Sequence, residues 1–103
     1  MTGDDVCETG RLLGQAAALL EAVGSDRDRV PASVAEDCRR AADLLRQAAA
    51  LPVAAAVHAA NPRAAVREAM AMLSRLSDAQ LSSEPTLTAV RIIWRVYVRI
   101  GQL

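Results

Sequence analysis

The chain has no lysine and no phenylalanine, and Trp94 and Tyr97 are its only aromatic residues. Without phenylalanine the core must be aliphatic, and 22 of the 103 residues are alanine. Helices lined with alanine approach closely, yet each contact buries little apolar area at about 25 cal/mol per Å². A free monomer of this composition is expected to be marginally stable. Arginine supplies all 12 positive charges against 12 acids, so the net charge is zero. That balance argues against a generally basic nucleic-acid coat or an acidic tail. Together, the arginine-only, alanine-rich biases are those expected of a GC-rich bacterial genome, so the choice of arginine over lysine carries no weight at any single position.

Catalytic inventory is also thin. His58 is the sole histidine, and no acid within four residues orients it. Cys7, Cys38 and His58 do not form the closely spaced pairs that structural zinc takes. Neither cysteine sits in a motif of an activated thiolate, and there is no G-x-S-x-G turn. Gly3, Gly10, Gly14, Gly24 and Gly101 are scattered singly, which excludes a glycine-rich phosphate cradle. The paired acids Asp4 with Asp5 and Glu36 with Asp37 would point about 100° apart on a helix, and so cannot share one substrate. No catalytic, cofactor-binding or metal-ligating residue is expected, and the chain reads as a non-enzyme.

No apolar stretch reaches the ~18 to 20 residues needed to cross a bilayer. Residues 1–8 are acidic and polar, unlike a secretory signal, so the expected location is cytoplasmic. Reduced thiols suit that setting. If the first two helices form a hairpin turning near Gly24 to Arg29, Cys7 lies about ten residues further from the turn than Cys38. At ~1.5 Å rise per residue the offset is roughly 15 Å, beyond the ~7 Å limit between bridged Cα atoms.

What is present is helical periodicity. A first helix is expected from Asp4 or Asp5 to Val23, with acids in its first turn and Gly24 ending it in a left-handed cap. Its stripe is Leu12, Ala16, Leu19, Leu20 and Val23, widened by Leu13 and Ala17. A second helix opens either with Pro31 in its first turn or with a capping box from Ser33 to Glu36. Val34, Cys38, Ala41, Leu45 and Ala48 form its seam. Pro52 ends or kinks it near Leu51, before a short third segment over residues 53–60. Asn61 and Pro62 restart the chain in a helix expected to run to Gln80, burying Val66, Ala69, Met70, Leu73 and Leu76. A turn follows from Leu81 to Pro85. The run from Leu12 to Leu19 recurs from Leu44 to Leu51 without a third copy, as an alanine- and leucine-rich chain produces by chance.

Residues 86–103 hold both aromatic residues and all three isoleucines, and 8 of the 17 β-branched residues. Arg91, Arg95 and Arg99 recur every fourth residue, which on a helix is one stripe. As a strand over residues 87–100 the run also alternates, with Ile92, Trp94, Val96, Val98 and Ile100 on one face, and a lone strand would have to pair with another chain. Length and context favour the helix. The expected fold is therefore an all-α, up-and-down bundle of four to five helices in a single domain, 1–103.

The sequence points to a small helical interaction or assembly subunit. It would self-associate or bind a protein partner through Ile92, Trp94, Val96, Tyr97 and Ile100, with the arginines bordering the contact. The alternative is a subunit of a nucleoprotein complex touching nucleic-acid backbone through Arg91, Arg95 and Arg99, aided by Arg63, Arg67 and Arg75.

Overall fold

In the computed structural model, which describes residues 2–26, 28–49 and 61–101 with side chains from Glu8 onward, the first apolar stripe winds into α1 (Thr2–Ser25). Leu12, Leu13, Ala16, Ala17, Leu19, Leu20 and Val23 all turn inward, as their three- and four-residue spacing requires. The C-terminus departs from expectation. Gly24 is helical, and no described glycine has positive φ. Packing explains it: a Cβ on Gly24 would stand 2.8 Å from Arg39 Cγ and 3.1 Å from the Ala35 carbonyl oxygen. The residue is small because the next helix passes against it.

A short turn, in which the Val30 N–H donates to the Asp26 carbonyl at 3.1 Å, leads into α2 (Ala32–Ala48). Pro31 stands at the N-cap position, just before the first turn, and no side chain caps the helix. Ser33 is not used for a capping box; its hydroxyl accepts from Arg99 Nη2 at 2.7 Å. Val34, Cys38, Ala41 and Leu45 are buried and Ala48 half-buried, so the seam is as expected. The helix stops at Ala49, whose backbone is extended and whose N–H donates to the Leu45 carbonyl. Leu51, Pro52, His58 and the expected segment over 53–60 lie outside the described residues, as does the side chain of Cys7.

Asn61 opens α3 (Pro62–Leu73), its Oδ1 accepting from the Ala64 N–H at 2.8 Å, with Pro62 in the first turn. This helix is shorter than expected. Ser74 caps its end, and after a turn Ser77 begins α4 (Asp78–Ser82). The cause is a capping box: Ser77 Oγ accepts from the Gln80 N–H, and Gln80 Oε1 accepts from the Ser77 N–H. Those reciprocal bonds compete with continued helix and win at Ser77. Gln80 Nε2 also donates to Thr9 Oγ1 at 2.5 Å, tying α4 to the start of α1.

The last element, α5 (Thr86–Gly101), is a helix, which removes the alternative of a strand over 87–100. Its buried residues are Thr86, Ala89, Ile92, Ile93, Val96 and Ile100. They fall on one helical face. Around the core, α1 packs on α2 and α3, α5 packs on the same two, and α4 rests on α5. Arg75 and Glu8, 3.5 Å apart, bring the end of α3 to the start of α1. Arg99 and Ser33 bring the end of α5 to the start of α2. Neighbours in the ring are thus antiparallel, and the described residues form an all-α bundle with no strand.

Alanine is normally favoured over glycine inside a helix by about 1 kcal/mol. At position 24 the added methyl meets the Ala35 carbonyl, so Gly24→Ala is expected to lower the Tm, as followed by circular dichroism. A higher Tm would show that the α1–α2 contact yields without strain.

Candidate functional site

At 100° per residue, α5 presents three distinct sides. The inward side takes Ile92, Val96 and Ile100, which are 5%, 0% and 7% exposed. This corrects the expectation that they share an outer face with Trp94. Strand-like alternation would group them with the indole, but the helix turns positions 92, 96 and 100 into the core and position 94 away from it. Trp94 and Val98 are each 54% exposed. Tyr97 and Val90 are half-buried beside them, packed on the edge of the core. The Trp94 and Tyr97 rings meet edge to face, with centroids 6.0 Å apart and planes at 84°.

Beside the indole runs a groove of about 250 Å³ between three helices. Met70 and Leu73 of α3 with its C-cap Ser74, Leu81 of α4, and Val90, Ile93 and Trp94 of α5 line it. Ser74 directs its hydroxyl back to the Ala71 carbonyl at 2.7 Å, which leaves the wall apolar. Sequence reasoning assigned Met70 to the core and Leu81 to a turn, and so missed both as surface. The usable signal was the Ser77-to-Gln80 spacing, which starts a new helix and sets Leu81 across from Val90.

The third side carries the arginines, and the structure divides them. Arg95 Nη2 lies 3.4 Å and Arg99 Nη1 3.8 Å from the carboxylate of Asp37 on α2. Among the described residues Arg91 has no ion-pair partner, and neither have Arg63 and Arg67 on α3, whereas Arg75 pairs with Glu8. Such exposed pairs contribute about 0 to 1 kcal/mol each. Their effect here is to hold two of the three guanidinium groups down on α2.

Elsewhere the described residues hold little reactive chemistry. Burial, with the Asp37 carboxylate adding to it, pushes the Cys38 thiol up from 9.0 to about 12. It is a packed thiol, not a nucleophile. No three His, Cys, Asp or Glu side chains among the described residues are grouped to hold a metal ion. No helix among them is long and apolar enough to cross a membrane. Compared with protein-family models, with curated proteins and with solved structures, the chain finds no match in any of the three.

Two measurements check this geometry. Trp94→Ala is expected to cost less than about 1 kcal/mol in denaturant unfolding, and Ile93→Ala, one residue earlier but 1% exposed, about 2 to 5 kcal/mol. For Cys38 the folded state favours the protonated thiol, so its contribution to stability is complete below pH 9.0 and is lost as the pH rises toward about 12. In a Cys7→Ser background, a thiol reagent at neutral pH should react with Cys38 only at the rate of unfolding. Immediate labelling of the folded protein would contradict its burial.

Proposed function

We propose that the chain is a non-enzymatic helical binding module, acting in a reducing, cytoplasmic setting, that contacts another protein through the outer side of α5 and the groove beside it. One observation carries this reading. The single tryptophan stands half out of the protein on the rim of an apolar groove formed by three helices. Indole is among the side chains most enriched at the centres of protein interfaces, because it buries a large area at low conformational cost. Leaving Trp94 in water forgoes that burial, which a partner would restore. The contact residues are then Trp94, Tyr97 and Val98, joined by Val90, Met70 and Leu81. Ile92, Val96 and Ile100 support them from behind.

A nucleic-acid contact through Arg91, Arg95 and Arg99 has less support. A row of three would neutralise three phosphates only if all three were free to turn outward, and Asp37 engages two of them.

The test is site-specific photocrosslinking in the cells that make the protein. A photoreactive residue at position 94 is expected to give a discrete protein adduct. The same residue at Asp43, exposed on α2 and away from the groove, is expected to give none. Equal labelling from both positions, or no adduct from either, would overturn the reading.

A further inference from the structure

Helix geometry puts arginines on the α3 rim of the groove and on the outer face of α5 beside Trp94. Arg67 is three residues before Met70 and seven before Ser74, so it lies on the side of α3 that faces the groove. Arg63 is one turn further back, and its Nη2 reaches to 3.7 Å of where a Cβ on Gly101 would stand, at the end of α5. On α5, Arg91 lies three residues before Trp94 and so about 60° round the helix from it, on the outer face next to the indole, and Arg95 stands about 40° further on, toward α2. Of these four guanidinium groups only Arg95 has a carboxylate partner among the described residues. Glu68 is two residues from Met70 and turns to the far side of α3. Among the described residues acids occur at the α4 end alone, where Glu84 Oε2 already accepts from Thr88 Oγ1 at 2.5 Å and Asp78 is exposed.

We propose that the occupant of this groove is an acidic amphipathic helix of another protein. It would set an aliphatic or aromatic side chain between Met70, Leu81 and Trp94, and its carboxylates along Arg63, Arg67 and Arg91. The inference rests on the protein-binding reading above and adds the chemistry of the partner. Charge complementarity selects it over a second copy, because Arg63, Arg67 and Arg91 are without carboxylate partners among the described residues and a second copy, of net charge zero, brings no excess of acid to meet them. Concavity selects it over a bilayer or a phosphate backbone. A bilayer surface presents no side chain that protrudes into an apolar groove, and a phosphate backbone has no apolar group to place there. A helix laid in a groove uses both the depression and the arginines beside it.

The experiment uses the full chain and a displayed library of amphipathic peptides of 16 residues, the length of α5, whose flanking positions vary between glutamate and lysine. Selected peptides are expected to carry glutamate over lysine by about tenfold or more at flanking positions, and to lose about tenfold in affinity for Arg67→Gln with Arg91→Gln. Binding should shift the emission of Trp94 to the blue. Enrichment of lysine, equal enrichment of both, or no enrichment would overturn the proposal. So would a blue shift of equal size with phosphatidylcholine vesicles containing phosphatidylglycerol, or with a single-stranded oligonucleotide. Sedimentation is expected to show a monomer at micromolar concentration, and a dimer abolished by Trp94→Glu would assign the groove to a second copy instead. A crosslink at position 94 without acidic selectivity would sink this inference and leave the binding module standing; loss of the crosslink would remove both.

Discussion

Nine of the 25 apolar residues buried among the described residues are alanine, and this fixes how near the helix backbones come to one another. Gly24 against Ala35 is the extreme of that series. A core of such narrow walls is close-packed with Leu, Val and Ile and has no room for an indole, whose N–H would also need a partner inside. The only tryptophan is at position 94, which α5 turns away from that core.

Helix α5 shows how one element serves three environments. One side, from Ala89 to Ile100, is core. The next meets α3 and α4 across the groove, and the third lies along α2, where Asp37 takes two guanidinium groups. A helix with apolar residues around so much of its circumference cannot be covered by two neighbours. The short α4 closes part of the remainder. Leu81 reaches over the edge, but α4 spans only Asp78–Ser82, too short to cover Trp94.

Helical periodicity made most of the bundle legible in the sequence. The stripe of α1, the seam of α2 and the Asn61-Pro62 start of α3 follow from local spacing and capping, which depend on near neighbours only. What was not legible depends on contacts distant in sequence. Gly24 resembles a terminator locally and is instead a point of close approach, which only the position of α2 reveals. The helix expected to reach Gln80 is broken by a capping box whose Gln80 also bonds Thr9. At the candidate site, Trp94 and the arginines were visible from composition. Their grouping was not, because alternation and helical period both fit the run, and the choice between them moves Ile92, Val96 and Ile100 from the surface to the core.

The division between an apolar groove and an arginine rim also separates two times. Charges on the rim, exposed and felt over a Debye length of about 8 Å at physiological ionic strength, act on a ligand before it touches. They set how often it arrives. The groove acts only after contact, through apolar surface withdrawn from water, and sets how long the ligand stays. For an acidic ligand received on this face, added salt would therefore slow arrival more than it shortens residence, so that frequency of encounter and duration of contact can be adjusted on different residues of the same face.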